Sequence, residues 1–153
     1  MLSAAEVKFV IVGGIAIRGH GGNYITEDLD ICYARDRENL QRIAVTLAPL
    51  DPRPRNFPKD LPFIFDWRTL QHGTNFTFET SVGDLDLLGE VKGVGTYDDL
   101  VKESLTIDLD GAATKILSIP ALIRAKEAAG REKDKPGLQV LYALQEAGDR
   151  TAE

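Results

Sequence analysis

The stretch Phe9–Ile31, FVIVGGIAIRGHGGNYITEDLDI, decides how the chain is read. It holds an apolar run ending in Gly13-Gly14, a glycine-rich turn from Gly19 to Gly22, and two aspartates, Asp28 and Asp30, one leucine apart. Side chains alternate faces along a β-strand, so a strand through Asp28 to Ile31 points both carboxylates the same way, with Cα atoms roughly 7 Å apart. Like charges on one face are unfavourable without a compensating cation or solvent, and hard oxygen donors suit Mg2+ or Mn2+. The outline is a divalent-cation site beside a glycine pair.

Outward from this stretch, Ser3–Val7 reads as a short helix leading into a strand from Lys8 to Val12 that the glycine pair ends. One or two helical turns over Ile15–His20 follow, stopped by the next glycines. The second strand runs from Asp28 to Ala34. Asp36 then caps a helix over Arg37–Leu47, where Leu40, Ile43, Ala44 and Leu47 share one face. Prolines at 49, 52, 54, 58 and 62 exclude regular helix and a central strand from Pro49–Pro62. With Arg53, Arg55 and Lys59 this is the most basic part of the chain; it reads as a solvated connection, with approach to an anionic substrate as the alternative.

Further on, Leu61–Phe65 reads as a short strand, Asp66 as the cap of a turn through Leu70, and Asn75–Thr80 as a half-buried strand. In GDLDLLGEV, from Gly83, alternation puts Asp84 and Asp86 on one face and Leu85 and Leu87 on the other. Thr96–Glu103 is expected as a capped helix, and Leu105–Leu109 with Thr114–Ile119 as a hairpin turning near Asp110-Gly111. Pro120 opens a helix that ends at Gly130, and a last helix over Pro136–Glu146 would pack through Leu138, Leu141, Tyr142 and Leu144.

A chain of 153 residues is close to the usual size of one domain, so a single domain over 1–153 is expected. The fold class expected is α/β (α+β): a mixed sheet with flanking helices. With 43% hydrophobic and 27% charged residues and no apolar run of about 20, the composition fits a soluble protein with no membrane partner. Met1–Val7 lacks the basic start of a secretory signal, and a single cysteine, Cys32, excludes an intramolecular disulfide framework; a reducing cytoplasm is the expected location. The net charge of -6 argues against broad nonspecific nucleic-acid binding, leaving room for a local basic cluster to hold one phosphate-bearing ligand.

Three acidic positions on two strands form the constellation that carries chemistry: Asp28 and Asp30 on one, Asp86 or Asp84 on the other. If the strands are neighbours, the carboxylates converge on one or two metal ions, which in phosphoryl transfer bridge phosphate oxygens and neutralise developing charge. Glycines without Cβ let backbone N–H groups approach a triphosphate. His20 reads as a hydrogen-bonded loop residue, Cys32 as a small core residue and Asp134 as an ion-pair partner. No GxxxxGK[ST] loop, GxGxxG turn, Cys-His zinc spacing or GxSxG elbow competes with this reading.

Taken together, Val12-Gly13-Gly14, thirteen intervening residues, Asp28-Leu29-Asp30 and a later Leu85-Asp86-Leu87 resemble the signature of the nucleotidyltransferases of the DNA polymerase beta superfamily. More narrowly, HGGNYITEDLDI, GDLDLLGEV and IPALIRAKEAAGREKD resemble small bacterial nucleotidyltransferase-like proteins of toxin-antitoxin type, over about Phe9 to Leu141. The resemblance implies Mg2+ (or Mn2+) held by Asp28, Asp30 and Asp86, with Asp86 as general base. It implies triphosphate contacts near Gly13 and Gly14, support of the loop by Thr26, and basic positions at Lys126, Arg131 and Lys133. These last would line a nucleotide cleft, the other reading being a solvated helix end. The implied activity is transfer of a nucleoside monophosphate from an NTP to a hydroxyl acceptor, tRNA or a partner protein, with a cognate toxin or antitoxin as partner. Tyr24 departs from the pattern, standing where the family commonly has arginine, with Arg18 as the nearest substitute. It motivates the alternative of a catalytically weak nucleotide-binding or partner-neutralising module with the same fold.

Overall fold

The computed structural model describes residues 1–152. β1 (Phe9–Val12) runs directly into α1 (Gly13–Gly19), so the glycine pair opens a helix as well as ending the strand, with Gly13 at φ +68°. β2 (Leu29–Tyr33) begins one residue after Asp28 and pairs antiparallel with β1. Asp36 caps α2 (Arg37–Leu47) by accepting from the Asn39 amide, within the expected bounds.

The proline-rich segment supplies a 3-10 turn at Ala48–Leu50 and an edge strand, β3 (Arg53–Pro54), the sheet position that tolerates proline. Asp66 caps α3 (Trp67–Gln71), and β4 (Asn75–Thr80) follows. β5 (Gly83–Leu88) carries the second pair of aspartates, and a two-stranded ribbon of β6 (Glu90–Val91) and β7 (Gly95–Thr96) leads into α4 (Tyr97–Lys102), capped reciprocally by Thr96 and Asp99. The hairpin β8 (Ser104–Leu109) and β9 (Ala112–Leu117) precedes α5 (Ile119–Ala129), which Ser118 caps and Gly130, in the left-handed region, ends. α6 (Lys135–Ala152) closes the chain.

Seven strands form one sheet in the order β3-β4-β5-β2-β1-β9-β8; β2 with β5 and β1 with β9 are the parallel pairs. Its class is mixed α+β, as expected. Register divides the central strands cleanly: Ile31 opposite Leu87 and Leu29 opposite Leu85 share one face, Asp30 opposite Asp86 the other. The apolar face is covered on the side of α2, where Leu40, Ile43 and Leu47 are buried, and α5 lies over the carboxylate face, so helices flank both sides. Each fully buried large side chain of this core, such as Phe78 or Leu87, contributes about 2–3 kcal/mol by leaving water.

Two polar devices hold the central strands in place. Buried Asn39 donates to the carbonyls of Lys8 and Ala34 and accepts from the Lys8 amide at 2.7 Å, tying the start of β1 to the end of β2. The Tyr33 hydroxyl donates to the Thr74 carbonyl and accepts from Arg35, joining β2 to the approach to β4.

The structure departs from the expectations in four places. Ser3–Val7 forms a turn in which the Val7 amide returns to the Leu2 carbonyl, because Glu6 adopts a left-handed conformation that no helix continues. Leu61–Phe65 forms no strand; Phe63 and Phe65 pack on Phe78, with ring centroids 6.1 and 5.4 Å away, and side-chain burial replaces ladder pairing. α6 extends well past Glu146. Tyr142 is 46% exposed, while Leu141 one residue earlier faces the core. Among the described residues no helix is long and apolar enough to cross a membrane.

Candidate active site

Gly13, Asp30, Lys126 and Arg131 line one cleft at the end of the central strands, and Asp86 stands beside Asp30. Asp30 and Asp86 stand directly opposite each other in the parallel β2–β5 pair, flanked in register by Val12 on β1 and Thr77 on β4. Partners in register project to the same side, so the two carboxylates are immediate neighbours. Of the two acids that alternation puts on one face of β5, Asp86 faces Asp30, and Asp84 lies two residues nearer the strand's start.

Electrostatics at this pair is strained. The Asp30 carboxyl is pushed up from 3.8 to about 7, first by burial, then by the charge of Asp86, a hydrogen bond to Asp86 that favours the protonated acid, and the charge of Asp28; Lys126 opposes the shift. Asp28 itself is exposed just before β2, its amide donating to Thr26 Oγ1 at 3.2 Å. Thr26 thus shapes the turn into β2, and its methyl group lies where a Cβ on Gly14 would fall, 2.7 Å away.

The glycines have specific reasons to be glycine. A Cβ on Gly13 would stand 2.2 Å from Asp30 Oδ2, so only a bare backbone fits beside that carboxylate. At Gly14 the same added atom would meet Thr26 and the Tyr24 ring, the latter at 2.8 Å. Tyr24 therefore packs over Gly14, and Arg18, exposed on α1, forms no ion pair among the described residues.

A cleft of about 300 Å3 opens between this row and α5, lined among others by Gly13, Asp30, Asn75, Lys126, Arg131 and Asp134. Lys126 and Arg131 are brought together by Asp134, whose side chain is only 4% exposed: Lys126 Nζ lies 3.4 Å from Oδ1, and Arg131 Nε donates to Oδ2 at 2.8 Å. Burial alone would raise the Asp134 carboxyl, but the bond from Arg131 and the charges of Lys126 and Arg131 outweigh it and hold it below its ordinary range. Lys133, by contrast, is exposed and outside the cleft lining. Its neighbours reach inward because the 3-10 turn at Glu132–Asp134 aims Asp134 at the body of the protein.

One residue that the sequence places first in a solvated connection belongs to the site. Arg55, just beyond β3, places Nη2 2.8 Å from Asp86 Oδ1 and 3.2 Å from the Phe78 carbonyl, with Nε 3.4 Å from Asp84 Oδ2. Nε is buried and makes no hydrogen bond, since the Asp84 contact has ion-pair distance without hydrogen-bond geometry. Across the sheet edge, Arg53 pairs with Glu79 and the Arg55 amide bonds the Thr77 carbonyl, which continues the aspartate face to both arginines.

His20 Nε2 donates at 2.7 Å to the Leu117 carbonyl, and Cys32 is fully buried, its thiol pushed up to about 12 chiefly by burial; both are structural, as expected.

Among the described residues no three His, Cys, Asp or Glu side chains converge, as placed, to hold a metal ion: Arg55 engages Asp86, and Asp28 stands off in solvent. The donor chemistry nevertheless fits a divalent cation. Asp28, Asp30 and Asp86 offer hard oxygens at the end of adjacent strands, and Asp30 is a half-buried acid facing a second carboxylate.

This architecture, a mixed sheet whose central strands present opposed aspartates beside a glycine pair that opens a helix, is a nucleotidyltransferase-type fold. The chain is similar in structure to the lincomycin-bound lincosamide antibiotic adenylyltransferase LnuA, with TM-score 0.60 and 12% identity over 94% of this chain and 90% of that one. It is also similar to a nucleotidyltransferase candidate from Thermotoga maritima (TM-score 0.55, 15% identity, 90% and 86% of the two chains). An antigenic nucleotidyltransferase-like protein from Paracoccidioides brasiliensis matches with TM-score 0.53 and 16% identity over 94% of this chain and 69% of that one. No sequence-family description matches the chain, and no curated protein matches it significantly in sequence. At these identities the likeness is one of fold.

Proposed function

We propose that this chain is a single-domain nucleotidyltransferase that moves a nucleoside monophosphate from an NTP to a hydroxyl acceptor, RNA or a partner protein. The observation that carries the reading is the in-register pairing of Asp30 with Asp86, Asp30 lining a cleft that Lys126 and Arg131 also line. In-line attack of the acceptor oxygen on the α-phosphorus forms the new P–O bond and breaks the bond to the β-phosphate, releasing pyrophosphate. Asp86 takes the proton of the attacking hydroxyl, while Lys126 and Arg131, held by Asp134, place positive charge against the phosphates. Gly13 and Gly14 leave a bare backbone for the polyphosphate to approach, and Thr26 fixes the turn that carries Asp28.

Asp28, Asp30 and Asp86 would hold Mg2+ or Mn2+, which supplies charge neutralisation on the phosphate oxygens and a lowered pKa for the hydroxyl. A toxin-antitoxin setting in the cytoplasm, with a cognate partner protein, belongs to the same proposal and rests on the motif resemblance. Transfer of labelled NTPs into total RNA and into co-purified protein, by wild type and by Asp28→Ala/Asp30→Ala, tests it. Labelling by wild type alone is the expected result, and equal labelling by both proteins would sink the assignment.

The second reading is a nucleotide-binding or partner-neutralising module without turnover. It is favoured by Tyr24, which puts an aromatic ring over Gly14 where the family commonly has arginine. Calorimetry with ATP and Mg2+ separates the two: tight binding without transfer supports the module.

A further inference from the structure

Three basic side chains surround the carboxylate row, and they are anchored differently. Lys126 and Arg131 share a nearly buried acid of their own, Asp134. Among the described residues Arg55 has no such private partner. Its acidic contacts are Asp84 and Asp86, members of the row itself. The fit is also unfinished, because the buried Nε lacks a hydrogen bond.

The charge it supplies is one-sided. Asp86 Oδ1 accepts from Arg55 Nη2 at 2.8 Å, whereas Asp30, directly opposite, has no ion-pair partner among the described residues. A divalent cation seated between Asp30 and Asp86 shares the Asp86 carboxylate with Arg55, and a guanidinium and a dication on one carboxylate repel. Other bonds would keep Arg55 close after losing that contact: its amide donates to the Thr77 carbonyl, Nη2 to the Phe78 carbonyl, and Asp84 remains within ion-pair distance.

Taking the nucleotidyl-transfer reading of the site as its basis, we propose that Arg55 is the resident counter-ion of the carboxylate row, and that a divalent cation binds by displacing it from Asp86. Arg55 is thus a positioning residue: it holds Asp86 in place in the metal-free protein and sets how tightly the metal binds. Relief of the contact also loosens the segment around β3, which Arg55 ties across β4 to β5.

Titration calorimetry with Mn2+, without nucleotide, on wild type, Arg55→Gln and Arg55→Lys tests the competition. Arg55→Gln is expected to bind Mn2+ at least tenfold more tightly than wild type, and Arg55→Lys, which keeps the charge, to stay within about threefold of wild type. Hydrogen exchange of the wild type with and without Mn2+ gives a reading independent of any substitution: exchange over residues 51–65 should speed up by severalfold while 83–88 becomes more protected. Equal Mn2+ affinity of wild type and Arg55→Gln, or unchanged exchange over 51–65 on Mn2+ binding, would overturn the role of Arg55 and leave nucleotidyl transfer standing. No Mn2+ binding by any of the three proteins would overturn both.

Discussion

Asp30 and Asp134 line the same cleft and are treated in opposite ways. Asp134 is nearly buried yet fully matched, with two basic groups on its oxygens and a carboxyl held below its ordinary range. Asp30 is pressed against another carboxylate and pushed up to about 7. A buried acid with partners fixes geometry; a half-buried acid set against a second carboxylate stores unfavourable energy. The first arrangement positions Lys126 and Arg131, and the second prepares a place for charge to arrive.

The contrast is open to direct attack. The largest effect is expected from Asp30→Asn, which keeps shape and removes charge: nucleotide transfer should fall by roughly a thousandfold, measured with labelled NTP. A loss below tenfold would place the chemistry elsewhere.

Asp134→Asn should cost about 2–4 kcal/mol in urea unfolding, because Lys126, with 14% of its side chain exposed, is left without its counter-charge. If this variant is as stable as wild type, Asp134 does not organise the cleft.

The two acids should also respond oppositely to pH. Asp30 binds a proton more tightly folded than unfolded, so its contribution is fully present below about pH 4 and is lost as pH rises through about 7. Asp134 has a lowered folded value, so its contribution is present above the ordinary carboxylate range and is lost as pH falls below it. In metal-free buffer, Asp30→Asn should therefore gain about 2–3 kcal/mol on wild type between pH 5 and pH 8. A flat difference between the two unfolding curves would remove the strain assigned to Asp30.

Gly14→Ala comes next, at about 1–3 kcal/mol, since its Cβ must displace Thr26 and Tyr24; a melting temperature equal to wild type would show that the packing yields. Lys133→Ala should be the smallest, within about 0.5 kcal/mol and with unchanged ATP affinity by calorimetry, because the residue is exposed outside the cleft.

Local chemistry explains what could be read from the sequence. Asp36, Asp66, Thr96 and Gly130 act on neighbours within four residues, so their caps mark helix ends without tertiary information. Strand alternation placed Asp84 and Asp86 on one face, but choosing between them required a register that only the pairing of β2 with β5 supplies. Arg55 was hidden for a related reason. Prolines make its segment read as a solvated connection, and only edge pairing with β4 turns the guanidinium inward. Asn39 carries no local mark of its clamp, since both strands it joins lie outside its own helix. Tyr142 was misjudged because apolar residues crowd two sides of α6 and only packing selects one.

The parallel pairing of β2 with β5 has one more consequence, for how the protein is made. Asp30 and Asp86 are 56 residues apart in the chain, and the strands between them must be laid down before the two can meet. Pairing across so long a loop forms late in folding, and β1 waits longer still for β9. A ribosome-bound fragment ending before Gly83 carries the glycine pair and the first two aspartates, yet lacks the strand that completes the row.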